Sequence, residues 1–100
     1  MMTREIVHTC SNAHVARAAL MSIGGDFARD IEAVARRRNV PEGVLVANIV
    51  KDFSRRAPKE QWEALRRASQ RADQPILSGL RFIVQSSLRQ DAAAEARASA

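Results

Sequence analysis

The sequence has 100 residues, which is room for one small domain and excludes a large multidomain assembly within one chain. Hydrophobic residues make up 46% of it but aromatic residues only 4%, so the core must be built from small and aliphatic side chains. The net charge is +5, which favours contact with nucleic acid or with an acidic protein surface.

The single cysteine, Cys10, excludes an internal disulfide and fits a reducing compartment. No apolar stretch approaches the roughly 20 residues that span a bilayer. The sequence therefore predicts a cytoplasmic protein with no membrane contact.

Residues 1–14 are polar and show no hydrophobic period, which predicts a flexible N-terminal arm. His8, Cys10 and His14 in this arm carry the imidazole and thiolate groups that bind zinc. A closed zinc site needs four ligands, and the sequence has no other Cys or His. A metal site or an enzyme is therefore a minor alternative, and we expect neither a cofactor nor catalysis.

Residues 15–23, VARAALMSI, form an apolar run that ends at a Gly-Gly pair and is interpreted as a short strand. Alternation along a strand gives it two faces. The inward face includes Met21 and Ile23, and the outward face includes Ala18, Leu20 and Ser22. Intrinsic propensity alone favours a helix for this Ala-rich run, so the strand depends on its context.

Residues 26–38 give the clearest helical pattern. Their apolar positions recur at helical spacing: Phe27, Ile31, Val34 and Ala35. Asp26 suits the start of a helix, and the arginines at 36–38 suit its end, where the helix dipole favours cations. Asn39 adopts left-handed geometry readily, so the helix is predicted to end there.

A second helix is predicted over residues 44–53, VLVANIVKDF, after the turn at Pro41. This helix is apolar on almost every side and must be covered on every side. One strand and one helix cannot cover it, so the sequence predicts an intertwined homodimer, with a tetramer as the alternative. The expected dimer core comprises Met21, Ile23, Phe27, Ile31, Val34, Leu45, Ile49, Val50 and Phe53.

The C-terminal half predicts a two-helix extension over residues 58–90, separate from a dimerisation domain over residues 15–57. Pro58 suits the first turn of a helix, and Trp62 begins an apolar stripe with Arg66 and Arg67 beside it. Residues 91–100, DAAAEARASA, are predicted to be a frayed or disordered tail.

The stretch over about residues 17–53 resembles the ribbon-helix-helix (Arc/MetJ/CopG-like) family of dimeric DNA-binding proteins. The resemblance rests on five successive segments: ARAALMSI, GGD, FARDIEAVARRR, NVPEG and VLVANIVKDF. The resemblance implies a mostly α homodimer with one short N-terminal strand and two core helices per chain. In that family the two strands pair into a ribbon that enters the major groove, and the second helix offers its free N–H groups to a phosphate.

The resemblance implies a bacterial-type transcription regulator or antitoxin that binds duplex DNA. Its expected DNA contacts are Arg17, Leu20, Ser22, Gly43, Val44, Arg37 and Arg38. Ala18 and Leu20 lack the donors and acceptors that read base edges, however. The alternative is therefore a protein-binding inhibitor or anti-activator on the same scaffold, directed at a toxin or another protein.

Trp62, Arg66 and Arg67 are the candidate residues for such a partner, because Trp is enriched in binding hot spots. Core packing of Trp62 and plain solvation of the arginines are the competing interpretations.

Overall fold

The computed structural model describes the backbone of residues 2–70 and 73–99 and the side chains of residues 4–70 and 73–91. Within these ranges it is built from helices packed around one core. In chain order they are α1 (Met2–Cys10), α2 (Ala13–Ile23), α3 (Gly25–Arg38), α4 (Glu42–Arg56), α5 (Lys59–Gln70) and α6 (Pro75–Ser99).

The predicted ribbon-helix-helix-like fold is wrong, because residues 15–23 lie in α2 and the described residues contain no strand. The side chain of Asn12 caps this helix. Its Oδ1 accepts hydrogen bonds from the backbone N–H of His14 at 2.9 Å and of Val15 at 3.2 Å. The cap and the Ala-rich composition both favour a helix, so local propensity prevails over the strand interpretation.

The change from strand to helix reverses the expected positions of two neighbours. Leu20, predicted to face outward toward DNA, is fully buried, and Ala16 and Ala19 on the same face are buried as well. Met21, predicted to lie in the core, is 61% exposed. A helical period places residues 16, 19 and 20 on one face, whereas a strand period separates 19 from 20.

Residues 1–14 form no separate arm. They contain α1 and the start of α2, and α1 packs against α2, α4, α5 and α6. Its inward side chains are Ile6, Val7 and Cys10, of which Ile6 and Cys10 are fully buried. The spacing of these three residues is that of one face of an amphipathic helix.

The helix predicted over residues 26–38 is confirmed as α3. Asn39 ends it in the left-handed conformation, with φ 57° and ψ 47°. The backbone N–H of Val40 then donates to the carbonyl of Ala35 at 3.0 Å. The second predicted helix is confirmed as part of α4, which begins directly after Pro41.

Within one chain α4 packs against α1, α2, α3 and α6, and its exposed stripe is mainly polar: Val44, Asn48, Lys51 and Arg55. The inference that every side of this helix must be covered, and therefore by a second copy, is wrong. Of the expected dimer core, the residues buried within one chain are Phe27, Ile31, Val34, Leu45, Ile49 and Val50. Ile23 and Phe53 pack against that core while partly buried.

Helices α2 and α4 approach each other closely at Gly43, near the start of α4. A Cβ atom at this position would overlap the backbone carbonyl oxygen of Ala13 and lie 3.1 Å from Cβ of Arg17. The two helices can therefore pack backbone to backbone only because residue 43 has no side chain.

The helices predicted as a C-terminal extension, α5 and α6, belong to the same core as the rest of the chain. Leu65, Leu80, Ile83 and Val84 are fully buried, as is Ile6 of α1. The α6 backbone stays helical to Ser99, through most of the stretch predicted as a frayed tail. Over the residues described, no helix has both the length and the apolarity needed to cross a membrane.

Candidate functional site

The expected DNA contacts do not form one exposed surface. Leu20 and Gly43 are buried, and Gly43 faces α2 rather than solvent. The Oγ of Ser22 donates to the carbonyl of Ala18 at 3.0 Å, and Arg38 forms a 3.0 Å salt bridge to Asp91. The remaining expected contacts are exposed and lie on three helices: Arg17, Val44 and Arg37.

The three potential zinc ligands point in different directions. Cys10 is buried in the core, whereas His8 and His14 are exposed on α1 and α2. Burial raises the pKa of the Cys10 thiol above its usual range, which disfavours the thiolate that a metal requires. Among the described residues, no three His, Cys, Asp or Glu side chains are grouped to hold a metal ion.

A cleft of about 450 Å³ lies where α1, α4 and α5 meet. We call it the Trp62 cleft, after the aromatic side chain in its wall. Its lining residues are Arg4, Val7, His8, Ser11, Ser54 and Trp62. It combines two basic side chains, hydroxyl groups and one flat aromatic ring, which are the groups that bind phosphorylated and aromatic ligands.

One wall of the Trp62 cleft is a single face of α1. Arg4, His8 and Ser11 are spaced by four and three residues, so they follow one another along that face. The Oγ of Ser11 donates to the carbonyl of Val7 at 2.6 Å, so its proton is already used. The exposed groups that remain on this wall as donors are the guanidinium of Arg4 and the imidazole of His8.

The opposite wall is Trp62 near the start of α5. Its ring packs edge to face on Phe53 of α4, with ring centroids 5.1 Å apart and planes inclined by 61°. Trp62 is only half-buried, although Leu65 and Ser69 on the same side of α5 are buried. The indole is therefore held by the core at one side and open to the cleft at another.

The lining of the Trp62 cleft contains no carboxylate, and this distinguishes it from two other clefts in the described part of the chain. A cleft of about 250 Å³ between α4, α5 and α6 contains Asp52 and Asp91, and another contains Asp30. Within the described residues, neither Arg4 nor His8 forms a salt bridge. Their donors are therefore available to an anionic ligand.

Further cations surround the opening of the cleft. Lys59 and Arg66 lie one turn to either side of Trp62 on α5, and Lys51 lies one turn before Ser54 on α4. All three are exposed. Glu60 and Glu63 lie between Lys59 and Arg66 along α5, and Asp52 follows Lys51 on α4, so carboxylates accompany these cations outside the lining of the cleft.

Sequence reasoning selected Trp62, Arg66 and Arg67 for partner binding, but it considered His8 only as a potential zinc ligand and did not select Arg4. Arg66 shares the side of α5 that holds Trp62, whereas Arg67 lies about 100° further round the helix. Arg4 and His8 belong to the stretch that was interpreted as a flexible arm. The helical spacing of the neighbouring Ile6, Val7 and Cys10 is the signal that would have placed Arg4 and His8 on one face of a helix.

No protein-family model matches the chain, and no curated protein or solved structure is significantly similar to it. Its function is therefore argued from its own residues.

Proposed function

We propose that the protein binds nucleic acid at the Trp62 cleft. The supporting observation is the juxtaposition of Arg4 and His8 on α1 with the half-exposed ring of Trp62 on α5, in a cleft whose lining has no carboxylate. Arginine pairs bidentately with phosphate, and an aromatic ring supplies a surface for a base or a sugar.

The charge of the chain supports the same proposal. The formal net charge of +5 attracts a polyanion over a distance, and the lining that contains Arg4 and no carboxylate offers it a place to bind. The proposal keeps the DNA-binding role expected from the sequence, but it places the binding at the Trp62 cleft and involves no ribbon. Regulation of transcription would be a consequence of such binding.

The test is a fluorescence-anisotropy titration with labelled oligonucleotides at several salt concentrations. The variant Arg4→Ala/Arg66→Ala removes two cations at the cleft. The control Arg29→Ala/Arg37→Ala removes two exposed cations from α3, which packs against α2 and α4 but not against α1 or α5. Circular dichroism checks that both variants keep the helical fold.

We expect wild-type binding to weaken as salt rises, because bound phosphates release counterions. The cleft variant should bind at least about ten-fold more weakly, with a shallower salt dependence, and the α3 control should bind like wild type. Equal losses in the two variants would contradict the proposal, because binding would then follow net charge alone. Absence of binding near 50 mM salt would contradict it as well.

A further inference from the structure

We infer that the Trp62 cleft accepts an unpaired nucleotide, and that the protein therefore prefers single strands to duplexes. This inference rests on the proposed nucleic-acid binding and names the form of nucleic acid that fits the cleft.

The ring of Trp62 is recessed, and this position favours an unpaired base. Trp62 lies inside a concavity whose other walls are α1 and α4, and not on a protruding surface. In a duplex the flat faces of the bases are stacked on their neighbours, and only base edges reach the grooves. A flat ring in a recess can therefore be used only by a base that has left the stack.

The contact between Phe53 and Trp62 leaves part of the indole ring free. The two ring planes are inclined by 61°, so the rings are not stacked on each other. In an edge-to-face pair, Phe53 occupies at most one face of the indole. Trp62 is also only half-buried, which leaves part of the ring free to stack with a base.

Polar groups suited to a phosphate line the same cleft as that ring. Arg4 and His8 of α1 line the same cleft as Trp62, and Ser54 lines it from α4. A nucleotide stacked on Trp62 thus has the guanidinium of Arg4 and the imidazole of His8 within the same cleft as donors for its phosphate. A rigid duplex would meet mainly the cations at the opening, Lys51, Lys59 and Arg66, and would leave the ring unused.

The lining offers little basis for distinguishing one base from another. The hydroxyl of Ser54 and the imidazole of His8 offer donors or acceptors that pair with any base. We therefore expect a preference for single strands that depends only weakly on sequence.

Trp62 itself provides the test, because it is the only tryptophan in the sequence and its fluorescence reports on the cleft alone. We would titrate the full chain with a mixed-sequence DNA strand of about 10 nucleotides, and with the same strand annealed to its complement. The single strand should quench Trp62 and bind about ten-fold more tightly, the factor that stacking of one base supplies. The duplex should bind with little quenching.

Two substitutions separate stacking from charge. Trp62→Leu should lower single-strand affinity in anisotropy by about ten-fold and duplex affinity by much less, whereas Trp62→Phe should retain most of the preference because it retains an aromatic face. Both variants are compared at equal helicity by circular dichroism. If Trp62→Leu unfolds the chain, the quenching comparison in wild type and the Trp62→Phe result decide the question.

The failures of the two proposals are distinguishable. Equal affinity and equal quenching for single strand and duplex would overturn the preference for unpaired nucleotides while leaving nucleic-acid binding intact. If neither DNA form nor a matched RNA strand binds, while a poly-glutamate peptide quenches Trp62, both proposals fail and the cleft recognises an acidic protein segment.

Discussion

The ring of Phe53 supports the ring of Trp62 edge to face across the junction of α4 and α5. Close to this contact, the N–H of Ala57 donates to the carbonyl of Phe53 at 2.9 Å, and Pro58 follows directly in the chain. The end of one helix and the start of the next are thus joined by a short connection and an aromatic pair. This arrangement orients the indole toward α1.

Replacing Phe53 by Leu should therefore affect binding without changing charge. Loss of the edge-to-face contact should lower the free energy of unfolding by about 1 kcal/mol and weaken nucleic-acid binding several-fold, because the indole loses its support. Urea unfolding and anisotropy titrations measure the two effects. The matched control is Phe82→Leu on α6, which is also partly buried but, among the described residues, makes no ring contact with Trp62. Equal effects on binding in the two variants would argue against a positioning role for Phe53.

A pair of adjacent alanine substitutions tests whether residues 15–23 form a helix. Leu20 is fully buried, so Leu20→Ala should cost about 2–5 kcal/mol of unfolding free energy. Met21 is mostly exposed, so Met21→Ala should change stability by less than about 0.5 kcal/mol. Chemical denaturation gives both values. The opposite order, with Met21 the costlier loss, would restore the strand interpretation.

The sequence was sufficient to predict α3, its end at Asn39 and the presence of a second helix, because these features depend on local signals. Each of these signals lies within a few residues of the feature that it predicts. They are the spacing of Phe27 and Ile31, the charges at the helix ends, and a residue that tolerates left-handed geometry. For residues 15–23 the local signals conflicted. Propensity favoured a helix, whereas the resemblance to a strand-containing family favoured alternation, and the structure follows propensity.

The covering of α4 was not predictable from local patterns. The sequence shows that much of this helix must be buried, but it does not show that α1 and α6 of the same chain supply part of the cover or that a stripe through Val44, Asn48 and Lys51 stays exposed. The same limit applies to the site. The helical spacing within α5 was enough to select Trp62 and Arg66. Arg4 and His8 come to line the same cleft as Trp62 only through the tertiary packing of α1, which local spacing does not predict.

Two buried glycines should respond differently to alanine. At Gly43 an added Cβ would overlap the Ala13 carbonyl, which is backbone and cannot move aside. At Gly79 it would lie 2.8 Å from Cδ1 of Ile6, the end of a flexible side chain. Gly43→Ala should therefore cost about 3 kcal/mol of unfolding free energy, and Gly79→Ala clearly less, since rotation of Ile6 and the gain in helix propensity offset the contact. Similar costs at both sites would contradict the backbone contact between α2 and α4.

Burial of Cys10 should make stability depend on alkaline pH. Burial raises the pKa of this thiol in the folded chain, so the unfolded chain loses its proton first as pH rises. The contribution of Cys10 to stability is therefore complete below the usual thiol pKa, about 8.5, and declines above it until the raised folded pKa is reached. Urea unfolding at a series of pH values measures this decline.

The control for this effect is Cys10→Ala, which lacks the thiol but keeps every other titrating group. Its stability should fall less steeply than that of wild type above about pH 8.5. Parallel curves of unfolding free energy against pH for the two proteins would contradict this prediction. They would show that the thiol ionises as easily in the folded chain as in the unfolded chain.

The most direct test of the Trp62 cleft as a nucleic-acid site is an NMR titration of ¹⁵N-labelled protein with a short single strand. We predict that the indole N–H of Trp62 and the backbone amides of Arg4, His8 and Ser54 shift together and saturate with one affinity, while those of Ser22 and Arg37 stay unchanged. Shifts concentrated at Arg17, Ser22 and Arg37, with the indole resonance unmoved, would contradict the account and place the nucleic acid on α2 and α3.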